Sequence, residues 1–145
     1  MRIDLLRDVT AARLAVVATD ATLQAAAAAL SDPHIGLVVV CNENGEVAGV
    51  VSKSDIVRHL AIEDAVKAPV ATRMSRDVVS CRAEDDLYET WKVMSARGLQ
   101  NIPVLNADSK PLGILDIRDA LRVLLEQEQY EEQLLVNYVS GVGYQ

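Results

Sequence analysis

Gly49-Val50-Val51-Ser52-Lys53-Ser54-Asp55-Ile56-Val57-Arg58 is matched, 64 residues later and without a gap, by Gly113-Ile114-Leu115-Asp116-Ile117-Arg118-Asp119-Ala120-Leu121-Arg122. The same offset pairs Leu23 with Leu87, Ser31 with Ser95, Val40 with Val104, Asn42 with Asn106 and Leu60 with Leu124. A repeat of that length means two copies of one supersecondary unit, so fold and site are read twice. Two open α/β units bury apolar faces on each other and leave related clefts where they meet. Function is expected there.

Around these stretches each copy reads strand–helix–strand–strand–helix. In the first, Leu14–Ala18 is a short apolar strand, and Asp20 and Thr22 offer capping oxygens to a helix with Leu23, Ala26, Ala27 and Leu30 inward. Pro33 ends that helix. Gly36–Cys41 and Val47–Val51 form a hairpin through Asn42-Glu43-Asn44-Gly45, and the helix from Ser52 is expected to bury Ile56, Val57 and Leu60. In the second, Val78–Cys81 reads as a strand. Asp85-Asp86 starts a helix whose inward residues are Leu87, Thr90, Trp91 and Met94, with Gly98 at its C-terminal cap. Asn101–Leu105 and Leu112–Leu115 make the second hairpin through Asn106-Ala107-Asp108-Ser109. The last helix runs on, since Leu121, Leu124, Tyr130, Leu134, Leu135 and Tyr138 keep one apolar face; a subunit contact and a fold back onto its own core are equally consistent with it. Asp64–Thr72 is the linker. The expected fold is α/β (α+β): a first domain at 1–66 with the N-terminal segment, and a second at 67–145 with the extended helix and tail.

Composition limits the functions open to this chain. The 145 residues are 50% hydrophobic and 24% charged, ordinary for a water-soluble protein. No apolar run is long enough to span a bilayer, and the acid-bearing N-terminus lacks a signal core, so a cytoplasmic location without a membrane partner is expected. A net charge of -7 argues against nucleic acid, whose binding rests on neutralising phosphates. Cys41 and Cys81 lie in apolar strands at unrelated repeat positions and read as buried, reduced thiols. With His34 and His59 they show no ligand spacing, so no metal site is expected. No Cys/His or Ser/His/Asp grouping supports catalysis.

One junction does carry chemistry. A buried strand ends at Ser52 where a helix begins, so free backbone N–H groups and the positive helix end meet the Ser52 hydroxyl, a setting that favours phosphate. Asp55, one turn on, is an acceptor suited to the paired hydroxyls of a ribose. Ser52 followed by Asp55 is also an ordinary helix cap.

The tandem Gly-hydrophobic-hydrophobic-Ser/Thr-x-x-Asp pattern resembles a pair of CBS domains (cystathionine-β-synthase domains, together a Bateman module) over roughly Thr10 to Leu125. Thr72-Arg73-Met74-Ser75-Arg76-Asp77-Val78-Val79-Ser80 and Asn101-Ile102-Pro103-Val104 are similar to further family segments. The resemblance implies two β-α-β-β-α domains packed sheet-to-sheet about a pseudo-two-fold axis, forming a non-catalytic module that needs no cofactor. It senses adenine nucleotides (AMP first, ATP, ADP or NAD as alternatives) and pairs as a homodimer. With no effector domain attached, output to an effector protein would act in trans. A scaffold that has lost its ligand is the competing expectation.

Carried over by position, Ser52 would contact phosphate and Asp55 ribose, with Lys53 nearby and Val16, Ala18, Ile35, Gly36 and Leu37 flanking the adenine. In the second copy Asp119 keeps the ribose position, but Asp116 replaces the Ser/Thr. A carboxylate there repels phosphate unless a cation intervenes. Arg118 is the candidate charge, and Asp116 either holds a bridging Mg²⁺ or caps its helix. Val79, Cys81, Arg82, Asn101, Ile102 and Pro103 would form this second cleft's adenine side, with Arg82 a further phosphate partner.

Overall fold

The two hairpins pair in one register, shifted by the repeat. The computed structural model describes residues 1–62 and 66–143; Asp64 and Ala65 of the linker and Tyr144 and Gln145 of the tail lie outside the described residues. In the first unit β2 (Leu37–Cys41) runs antiparallel to β3 (Val47–Ser52), pairing Leu37 with Ser52 and Val40 with Gly49 before a bulge. In the second, β5 (Asn101–Leu105) and β6 (Pro111–Asp116) pair Asn101 with Asp116 and Val104 with Gly113, then bulge at the equivalent place. A short parallel strand completes each three-stranded sheet: β1 (Val16–Ala18) beside β2, β4 (Cys81–Arg82) beside β5. The second strand is shorter than the expected Val78–Cys81 and begins only at Cys81.

Side chains alternate across a strand, so β2 serves two cores at once. Val38 and Val40 join Leu23, Ala26, Leu30, Ile35, Val51, Ile56 and Val70 beneath the first unit's helices. Leu37, Val39 and Cys41 point the other way and meet Ile114 of the second unit, with Leu14, Val47 and Val50 around them. Ile102, Val104 and Leu115 turn into the second unit's own core. The units are therefore packed sheet-to-sheet.

Helix caps follow the sequence closely. Thr22 Oγ1 accepts the Ala25 N–H at 3.1 Å to start α2 (Leu23–Leu30); Asp20 takes no part in that cap. Asp86 accepts the Glu89 N–H at 3.0 Å at the head of α4 (Leu87–Ala96). Gly98, one residue past the Arg97 cap, has φ +66°, and Leu99 N–H returns to Met94 O at 2.9 Å in a Schellman-type ending. Met94 is buried and Trp91 packs half-covered against the same core. In α3 (Lys53–Ile62) Ile56 is buried, but Val57 is 67% exposed and Leu60 faces out as well, because no element among the described residues covers that side.

The C-terminal helix α5 (Ile117–Gly143) does run on. It does not fold back: Tyr130, Leu134, Leu135 and Tyr138 stay exposed beyond the last core residues, Val123 and Leu124.

The N-terminal segment, grouped with the first unit in the sequence, packs on the second. A 3₁₀ turn (Ile3–Leu6) leads into α1 (Arg7–Ala12), and Ile3 and Leu6 are buried in the second core. Ile3 N–H donates to Asp85 O (3.0 Å), Asp4 N–H to Ala83 O (2.7 Å) and Leu87 N–H to Met1 O (2.7 Å). Residues 66–75 return the exchange. Val70 is buried in the first core and donates to Ala21 O (2.7 Å), while Leu23 N–H donates to Ala68 O (2.8 Å).

The motif glycines make room for these segments. A Cβ on Gly113 would lie 2.6–2.7 Å from Thr10 atoms, and one on Gly49 would lie 2.8 Å from Ser75 O.

Candidate functional site

At the strand-to-helix junction of the first unit, Ser52 and Asp55 cap reciprocally. Ser52 N–H donates to Asp55 Oδ2 (2.9 Å) and Asp55 N–H to Ser52 Oγ (3.2 Å). Ser54 Oγ lies 3.0 Å from Ser52 Oγ, and Arg58 Nη1 is 3.4 Å from Asp55 Oδ1. The junction opens onto a cleft of about 740 Å³, a size that suits a small-molecule ligand.

That cleft belongs to both units. Gly36, Leu37, Ser52, Lys53 and Asp55 line it from the first; Val79, Asn101, Ile102, Pro103 and Arg118 line it from the second. The residues assigned by sequence to two separate clefts thus come together in one. Its walls also include Ser54, Ser75, Asp77, Leu99 and Gln100, which sequence reasoning missed. Ser54 lay in view within the motif itself. Asp77 and Gln100 were signalled only by repeat symmetry, as counterparts of Arg13 and Gly36. Gly36 has no Cβ because Asn101 needs the space: a Cβ would come 2.5 Å from Asn101 Nδ2. Asn101 Oδ1 is buried without a hydrogen-bond partner at this wall, an acceptor left for a donor on a ligand or water.

Several expected residues lie elsewhere. Val16 and Ala18 sit exposed on the short edge strand β1, and Ile35 is consumed by the first core. Cys81 is buried in the second core, and burial, together with the charge of Asp85, pushes its thiol up to about 12. Arg82 turns to Glu84 at 3.5 Å.

Asp116 and Asp119 are 1% and 2% exposed and already paired. Arg13, at the end of α1, takes Asp119 bidentately, Nε to Oδ2 at 2.5 Å and Nη2 to Oδ1 at 3.2 Å, and donates from Nη1 to His34 O at 3.0 Å. Arg122 Nη2 adds a contact to Asp119 Oδ1 at 3.1 Å. Asp116 receives three donors from Arg118: the backbone N–H (2.8 Å), Nε (3.0 Å) and Nη2 (2.8 Å). Burial opposes ionisation of Asp116, but these bonds and the nearby Arg13 charge outweigh it and hold the carboxyl below its usual range. Both oxygens are taken, so Asp116 does not fit a bridging Mg²⁺. It caps α5 through the N–H two residues on. The second junction is an internal ion-pair network.

Two three-stranded sheets, each ending in a strand-to-helix junction and packed on one another, define a paired α/β module. The CBS domain family matches twice, over residues 6–62 and 66–126, and the chain belongs to that family. An uncharacterised 17.7 kDa protein of Acidianus ambivalens is 27% identical over 128 residues, covering 88% of this chain and 77% of that protein. Of further curated relatives, including a Methanopyrus kandleri protein and an inosine-5'-monophosphate dehydrogenase, the chain spans 46% and 16%. Among solved structures, the CBS domain protein PAE2072 of Pyrobaculum aerophilum, complexed with AMP, aligns with a TM-score of 0.72 at 21% identity, covering 82% of this chain and 89% of that one. The CBS domain pair of protein MJ0100, in complex with 5'-methylthioadenosine and S-adenosyl-L-methionine, aligns with a TM-score of 0.72 at 20% identity, covering 84% and 96%. At these identities the likeness establishes the fold.

Proposed function

We propose that this chain is a non-catalytic, cytoplasmic sensor of adenine nucleotides that binds one AMP-, ADP-, ATP- or NAD-type ligand per chain and regulates an effector protein in trans as a homodimer. The observation that carries the reading is the shared cleft, lined by Ser52 and Asp55 together with Val79, Asn101, Ile102, Pro103 and Arg118. Ser52 and the α3 N-terminus receive phosphate, Asp55 the ribose hydroxyls, and the apolar wall the base. Adenosine is the chemistry common to the ligands of the two structural relatives. One site per chain follows from the filled second junction, where Arg13 already occupies the Asp119 carboxylate. Exposed Val57, Leu60, Leu121 and Leu125 on α3 and α5 supply an apolar face for a two-fold dimer.

Isothermal titration with AMP, ATP, NAD and S-adenosylmethionine tests the proposal. Saturable heat at a stoichiometry near one, lost by about tenfold or more in Asp55→Ala, is expected. No heat and no thermal shift with any of them at millimolar concentration would overturn it. A ligand-free scaffold is the second reading, favoured by the complete reciprocal cap between Ser52 and Asp55. Equal nucleotide affinities in wild type and Asp55→Ala would support it.

A further inference from the structure

The second repeat's departure from the motif acts on the cleft, not on its own junction. Arg118 is 75% exposed, yet its guanidinium is fixed. Nε and Nη2 grip the two oxygens of Asp116, and the Asp116 side chain is itself 1% exposed and anchored by the Arg118 backbone N–H. An exposed arginine usually spreads over many rotamers; the planar fork seated on a carboxylate holds one. The rest of the fork, including both Nη1 hydrogens, has no partner within the Asp116 clamp. Arg118 lines the same cleft as Ser52 and Lys53, whose other charged lining residues are Asp55 and Asp77.

We infer that Arg118 is the cation that selects phosphorylated adenosine ligands in the shared cleft, and that Asp116 is the positioning residue that aims it there. This rests on the reading of the cleft as an adenine-nucleotide site. Asp55 and Asp77 line the same cleft as Lys53, so a phosphate there gains from the guanidinium N–H donors that the Asp116 clamp leaves open.

The experiment measures AMP and adenosine affinity by titration in wild type, Arg118→Gln, Asp116→Asn and the double variant. Arg118→Gln, checked by its unfolding curve because it also removes two donors from buried Asp116, is expected to weaken AMP about tenfold and adenosine less than twofold. Asp116→Asn is expected to lose part of the same AMP preference, and the double variant to be no worse than Arg118→Gln alone. Unfolding curves identify any loss in either variant that comes from the fold, and the AMP-to-adenosine affinity ratio, which a loss of folded protein does not move, decides the question. Equal losses for AMP and adenosine in Arg118→Gln, or an unchanged ratio, would overturn the inference while leaving the site intact. Failure of wild type to bind either ligand would instead sink the underlying site.

Discussion

Ser109 and Gly45 occupy one place in two copies of a turn. In each, an asparagine side chain organises the loop: Asn42 Oδ1 accepts from Asn44 and Glu46 N–H at 3.0 Å, and Asn106 Oδ1 from Asp108 (2.9 Å) and Lys110 (3.0 Å). Gly45 takes the left-handed conformation at φ +79° without strain, whereas Ser109 takes it at φ +60° against its Cβ. Ser109→Gly is expected to stabilise the protein by about 0.5–1 kcal/mol, read as a raised urea midpoint. Cys81 gives a pH-dependent signature. Its folded-state thiol lies near 12, above the ordinary 9.0, so the fold retains a proton that the unfolded chain loses. That contribution is complete below about pH 9 and disappears as pH rises through 12. Stability measured from pH 8.5 to 10.5 should fall, and Cys81→Ala should flatten the slope. Both turns were legible, the first from Asn42-Glu43-Asn44-Gly45 and the second from Asn106-Ala107-Asp108-Ser109 between two apolar runs. The raised Cys81 thiol was not, because it depends on what the second core packs around it.

Elements built from local periodicity are those the sequence reveals best. β2, β3, β5, β6, α2, α4 and the length of α5 follow from alternation, 3.6-residue spacing and capping oxygens, all of which lie within a few residues. Contacts between distant segments stay hidden. Ile3, Leu6 and Thr10 have helical spacing, but nothing near them says they complete the second core and not the first. Val57 and Leu60 read as buried because their spacing matches Ile56, although no element among the described residues covers them. The Ser52–Asp55 junction was visible for the same local reason that β3 and α3 were, while its merger with the Asn101–Pro103 wall exists only in three dimensions. The motif glycine is explained by such a distant contact: Gly113 of β6 lies against Thr10. Gly113→Ala should cost about 2 kcal/mol or more in chemical unfolding, since the obstruction is backbone and cannot rotate away. An unchanged midpoint would mean that the α1 segment is free to lift.

At the scale of the whole molecule the ion-pair network joins the two ends of the repeat. Arg13→Ala strands the buried Asp119 with Arg122 alone and should destabilise the fold by roughly 3 kcal/mol. Asp116, held below the ordinary 3.8 by its Arg118 bonds despite burial, contributes stability that is present above about pH 4 and lost as pH falls through its folded value. An acid limb in the unfolding curve, weakened in Arg118→Gln, is the expected outcome. The crossed segments carry a topological consequence. Residues 1–12 finish the far unit and residues 66–75 finish the near one, so each half carries a piece the other lacks. Scission between residues 62 and 66 should therefore yield two fragments that are each unfolded in isolation yet dock and refold on mixing. That outcome would make the molecule an interlocked pair held by mutual donation, with the peptide bonds between its halves dispensable.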